Sequence, residues 1–117
     1  VSQPILHVTT SAAWMAARKI GRYEAESLKG QGFIHCSKAD QVLRVANLLY
    51  KGQNGLVLLV IEPQQLDSRL RWEPGEDLPD VLFPHVYGPI NLDAVVEVLD
   101  FEPGPDGSFS LPVKLEG

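Results

Sequence analysis

The chain carries three histidines, and each is followed two residues later by a hydroxyl side chain: His7-Val8-Thr9, His35-Cys36-Ser37 and His85-Val86-Tyr87. In an extended strand, residues i and i+2 share a face. His7 and Thr9 then point one way while Leu6 and Val8 point the other. His35 with Ser37 opposes Ile34 and Cys36, and His85 with Tyr87 opposes Val86. The intervening apolar residues can enter a core while the polar ones line a common cleft. Neutral imidazole offers one donor and one acceptor, and a hydroxyl offers both. Such groups suit ribose hydroxyls or phosphate oxygens, and histidine titrates near neutrality and can shuttle protons.

Each of these residues also has a plainer role open to it. A single buried histidine is commonly a structural hydrogen-bonder. Ser37, with Asp40 three residues on, sits where a helix N-cap is expected. A helix start there would still aim amide hydrogens at an anion. Tyr87 fits half-buried aromatic packing equally well. Arg71 and Glu73 flank Trp72 and share a strand face. They read either as a surface ion pair or as a cleft carboxylate for a ribose with an arginine for phosphate. Trp14 and Tyr23 read as core and rim packing rather than as a stacking platform.

Other chemistries find less support. Three histidines can hold a catalytic zinc, but no HxxxH or HExxH spacing is present and no metal is expected. A serine nucleophile lacks its GxSxG elbow. Cys36 is expected to face the core, where a thiol is inert. The formal charge is −5, from ten Lys and Arg against fifteen acids. Binding along a nucleic-acid backbone needs several cations on one surface, so no nucleic-acid partner is expected. A lone cysteine forms no internal disulfide, no apolar run spans a bilayer and no signal-peptide pattern opens the chain. The expectation is a cytoplasmic protein. No oligomeric state is legible.

The elements that position these residues follow from periodicity and breakers. The 117 residues are expected to form a single domain with a core over about 5–101. Residues 1–4 read as a lead-in and residues 5–9 as a short strand. Ser11 is the expected N-cap of a helix over 11–20 that Gly21 ends. Residues 22–31 read as a connection and residues 33–36 as a short strand. Val42, Val45, Ala46 and Leu49 recur at helical spacing within a second helix over about 38–51. Leu56 to Ile61 is an unbroken apolar run, expected to be a central strand buried on both faces. Short strands are expected within 66–73, over 85–87 and over 94–101, with a loop over 74–80. A turn over 103–107 is expected to return residues 109–111, within about 108–113, as a hairpin partner. Two early helices followed mostly by strands define an α+β fold, here of about six short strands in a mixed arrangement.

The runs Ile5-Leu6-His7-Val8-Thr9, Gly32-Phe33-Ile34-His35-Cys36-Ser37, Gln41-Val42 with Val45-Ala46-Asn47, and Phe83-Pro84-His85-Val86-Tyr87-Gly88-Pro89 resemble the bacterial family called domain of unknown function 952. The resemblance extends from about residue 5 to residue 101. A more distant similarity carries a functional idea. A first strand with His then Thr, and a second segment ending in His-x-Ser, are similar to the NAD-binding core of ADP-ribosyltransferases, with the RNA 2′-phosphotransferase branch nearest. That resemblance implies a split, strongly bent β-structure with NAD in the cleft between its halves. His7 and Thr9 would match the first-strand position that contacts the adenosine-side ribose and the nicotinamide amide. Ser37 would match the second-motif hydroxyl, with His35 beside it. At the third motif, where many members carry a glutamate, this chain has His85, with Glu73 the nearby carboxylate.

The candidate catalytic residues are therefore His35, His85 and Glu73. The candidate nucleotide contacts are His7, Thr9, Ser37, Arg71 and Tyr87, and NAD is the implied substrate. The implied activity is ADP-ribosyl transfer to a small molecule or protein. The residues themselves leave open a non-catalytic metabolite-binding module and a structural or interaction domain.

Overall fold

The computed structural model describes residues 3–76 and 78–115. Val1 and Ser2 of the expected lead-in, and residue 77 of the expected loop, lie outside the described residues. In chain order the elements are β1 (Ile5–Thr10), α1 (Ser11–Ile20), β2 (Arg22–Tyr23), α2 (Glu26–Gly30), β3 (Ile34–His35), α3 (Val42–Leu49), β4 (Leu56–Ile61), β5 (Arg69–Pro74), β6 (Leu82–Tyr87), β7 (Ile90–Asn91) and β8 (Val95–Phe101). They form three sheets, ordered β1-β4-β8, β2-β7 and β3-β6-β5.

The unbroken apolar run becomes β4, whose six residues are all buried at the centre of its sheet. Leu56, Leu58 and Val60 face one way and pack with Leu6 and Val8 of β1 against Val42 and Ala46 of α3. Phe101 and Phe109, stacked at 4.6 Å, close that side. Val57, Leu59 and Ile61 face the other way, onto Ala17 of α1 and onto Ile34 and Val86 of the β3-β6-β5 sheet. Burial on both faces is why this strand does not alternate apolar and polar residues.

The α+β class agrees with expectation, but every strand pair is antiparallel rather than mixed. Eight strands appear among the described residues where about six were expected, because β2 and β7 are two-residue strands with no readable periodicity. The connection expected over 22–31 holds β2 and the short helix α2. Thr10, not Ser11, caps α1: β1 runs one residue further, and Thr10 Oγ1 accepts the Ala13 amide at 3.0 Å. Gly21 ends that helix at φ 98°, in the left-handed region glycine favours.

Ser37 is not an N-cap. Its backbone is paired with Leu6, so the chain turns through 38–41 before α3 starts at Val42. The expected hairpin partner over 109–111 is also absent. The turn forms, with Gly107 N donating to Gly104 O at 2.9 Å, but the returning chain docks on α3. There the Phe109 amide donates to Asn47 Oδ1 at 2.7 Å.

Leu58 and Leu59 are each fully buried, on opposite faces of β4. Leu58→Ala and Leu59→Ala are each expected to cost about 3 kcal/mol in urea unfolding. A cost below about 1 kcal/mol for either would show that its face of β4 is not packed.

Candidate functional site

The site begins where two sheets meet and part. Leu6 N donates to Ser37 O at 2.7 Å, and Ser37 N donates to Leu6 O at 2.8 Å. This pair joins β1 to the end of β3. In a continued antiparallel ladder, Val8 would pair next with His35. Instead the His7 side chain takes the His35 carbonyl, with Nδ1 2.6 Å from that oxygen. The sheets diverge there. Leu6 turns both of its backbone groups to Ser37, so Val8, two residues on, turns its own N–H and C=O to the same edge. Among the described residues, no backbone group meets them there.

Hydrogen bonding and burial together fix the state of His7. A carbonyl only accepts, so Nδ1 carries the proton. Nε2 lies 2.8 Å from Tyr23 Oη, which in turn lies 2.9 Å from Thr9 Oγ1. Burial pushes the His7 pKa down to about 4, against which the bond to the His35 carbonyl works only partly. The ring is therefore neutral at pH 7, and its bare Nε2 accepts the Tyr23 hydroxyl proton. Thr9 then donates to the phenol oxygen. Tyr23 is also raised above the usual phenol range, chiefly by burial.

His35 and His85 face each other across the β3-β6 pair, with ring centroids 5.4 Å apart. Phe33 stacks on His85 at 4.2 Å and meets His35 edge-on at 4.7 Å. His35 Nε2 donates to Gln31 Oε1 at 2.6 Å, and the Gln31 amide donates to Glu76. Burial first, then the neighbouring His85, lowers the His35 pKa. On the far side of His85, Nδ1 lies 2.8 Å from Glu73 Oε1, which also accepts the Tyr87 hydroxyl at 2.6 Å. Those two bonds, Tyr87 first, hold the Glu73 carboxyl below its usual range, and Tyr87 is raised in turn by Glu73.

These groups border a cleft of about 1000 Å³. His7, Thr9, His35, Ser37 and His85 all line it. Arg71, Glu73 and Tyr87 do not line it; they stand behind His85. Arg71 lies 5.5 Å from the centre of the Tyr87 ring, not at the cleft as expected for a phosphate ligand. Cys36 is buried, as expected, and burial raises its thiol far above the usual range. No cluster of three metal-ligating side chains occurs among the described residues.

Sequence reasoning missed three contributors. Tyr23 reads as packing from sequence alone, yet its hydroxyl links His7 to Thr9 across 16 and 14 residues of sequence. Phe33 is the ring common to His35, His85 and Tyr87. Arg44 is the cation among the described lining residues, and no ion pair engages it among the described residues. Its place on α3, three residues past Gln41, was the available signal.

Fold and site together define an α+β protein of antiparallel sheets with a histidine-lined cleft where two of them split. Residues 8–98 match the family described as "Protein of unknown function (DUF952)", and the chain belongs to that family. It is similar to protein CC0527 from Caulobacter crescentus, whose crystal structure shares 32% identity, covers 97% of this chain and 98% of that one, and superposes with a TM-score of 0.86. The solution NMR structure of CC0527 gives a TM-score of 0.82, with 97% of each chain covered. No curated protein matches the chain. No described helix is long and apolar enough to cross a membrane.

The neutral His7 makes stability depend on pH. Its folded pKa of about 4 lies below the ordinary 6.5. Between those values the unfolded chain binds a proton that the native state refuses, so stability is intact above about pH 6.5 and falls as pH drops toward 4. Comparing pH 7.5 with pH 4.5 in urea, wild type is expected to lose roughly 2 kcal/mol more than His7→Gln. Equal losses would show that His7 is not buried neutral. Tyr23→Phe, which leaves Nε2 and Thr9 short of a partner, is expected to cost about 1–3 kcal/mol.

Proposed function

We propose that the cleft binds NAD or a related ADP-ribose-type nucleotide, and that the protein transfers the ADP-ribosyl group to a small-molecule or protein acceptor. The observation that carries this reading is the free edge of β1 beside a polar wall. At Val8 that edge offers one N–H and one C=O in register, the complement of a carboxamide such as that of nicotinamide. Around it, Ser37 lines the cleft, and its hydroxyl has no side-chain partner among the described residues. It suits a ribose hydroxyl. Arg44 suits the pyrophosphate, in place of Arg71. The volume lies at the upper end of the range for ligand sites. His7 and Thr9 have their hydrogen bonds within the protein, so they hold the wall rather than grip the ligand.

Titration calorimetry tests the reading. NAD and ADP-ribose are expected to bind. Nicotinic acid adenine dinucleotide, whose carboxylate has no N–H to give the Val8 carbonyl, is expected to bind about tenfold more weakly than NAD. Arg44→Gln is expected to weaken NAD and ADP-ribose alike by about tenfold or more. Absence of binding by NAD and ADP-ribose at millimolar concentration would end the proposal. Binding without nicotinamide release would make the protein a metabolite-binding module.

A further inference from the structure

We infer that His85 is the base that takes the acceptor's proton, and that Glu73, itself clamped by Tyr87, is the residue that positions it. The inference rests on the nucleotide reading above and assigns a step within it.

The geometry leaves His85 little freedom. It is only 5% exposed, yet it lines the cleft. Phe33 lies nearly parallel to its ring, at 21° and 4.2 Å. Nδ1 is 2.8 Å from Glu73 Oε1, and an ionised carboxylate only accepts, so in the neutral ring the proton is on Nδ1 and the lone pair on Nε2. Nε2 has no protein partner among the described residues, and it is not sealed from solvent, since no unpaired side-chain nitrogen or oxygen is buried there. His35, across the strand pair, has its Nε2 committed to Gln31. On a ring that lines the cleft, the nitrogen left without a partner is thus the one away from the carboxylate that orients it.

Glu73 is in turn fixed rather than free. Its Oε1 accepts from both His85 and the Tyr87 hydroxyl, the latter at 2.6 Å. Arg71 rests over the Tyr87 ring at 5.5 Å and places a positive charge near Glu73. The charged and titratable groups around His85 are therefore His35 on β3, Glu73 and Arg71 on β5, and Tyr87 on β6 itself.

The step balances without a further reactant. The bond between ribose C1′ and the nicotinamide nitrogen breaks, and its electron pair neutralises the pyridinium as nicotinamide leaves. An acceptor hydroxyl oxygen forms the new bond to C1′. Its proton passes to His85 Nε2, and the resulting imidazolium is paired with the Glu73 carboxylate through Nδ1. No oxidation state changes.

The test uses the whole chain, NAD, and water as the acceptor. Glu73→Gln keeps an oxygen to accept from Nδ1 but removes the charge. It is expected to lower kcat for nicotinamide release about 100-fold, as loss of an effective base does, with KM for NAD and the Kd of ADP-ribose within about twofold of wild type. Tyr87→Phe is expected to lower kcat about fivefold, and it serves as the second probe should Glu73→Gln fail to fold. In the neutral ring, nitrogen NMR should find the proton on Nδ1 in both wild type and Glu73→Gln; a proton on Nε2 instead overturns the inference. Unchanged kcat in Glu73→Gln overturns the inference. So does wild-type protein that binds ADP-ribose and NAD but releases no nicotinamide, which leaves the binding proposal standing. Absence of binding overturns both.

Discussion

One imidazole decides where this protein's sheets part. His7 donates to the His35 carbonyl at the position where the β1 backbone would otherwise continue its ladder. A backbone amide there would extend the pairing begun by Leu6 and Ser37, and β1 and β3 would merge into one sheet. A side chain reaching the same oxygen satisfies the carbonyl while keeping the strands apart. The cleft, the free edge at Val8 and the placement of His35 all follow from that substitution. Burial keeps His7 neutral, pushing its pKa down to about 4. The Tyr23 and Thr9 hydroxyls complete the arrangement by giving the bare nitrogen a donor.

The rest of the molecule reads as support for that seam. In β1, β3 and β6 the same alternation sends apolar side chains to the cores and polar ones toward the split. Leu6 and Val8 enter one core, while Ile34 and Val86 enter the other. β4, packed on both sides, is the wall that ties the two cores together. Gly75 shows how tightly the loop after β5 closes on this face: a Cβ there would come within 2.6 Å of the Phe83 ring. The site is thus framed by packed strands on one side and by α2, α3 and that loop on the other.

Alternation made part of the site legible in sequence. It paired His7 with Thr9, His35 with Ser37 and His85 with Tyr87, and it set each pair opposite its apolar neighbours. The β4 run and the Gly21 stop were equally direct. What sequence could not supply was register. Whether Glu73 meets the cleft or His85 depends on β5 pairing so that Arg71, not Glu73, lies opposite His85. That offset sets Glu73 diagonal to the imidazole and within reach of Tyr87. Ser37 looked like a helix cap because local spacing cannot reveal that its backbone is already engaged by Leu6. Tyr23 sits in a two-residue strand, where no period exists to be read.

The three histidines, alike in sequence, end in different chemical situations. His7 has both nitrogens bonded within the protein, so it shapes the wall and has no capacity left for a ligand. His35 spends Nε2 on Gln31 and stands exposed at the rim. His85 is buried, stacked and oriented by a carboxylate, yet its outer nitrogen has no protein partner among the described residues. Hydrogen-bonding capacity left over after folding is what a site has available for chemistry. Along this cleft that capacity lies with His85, Ser37, Arg44 and the Val8 edge. The more deeply built His7 network serves to keep that edge open.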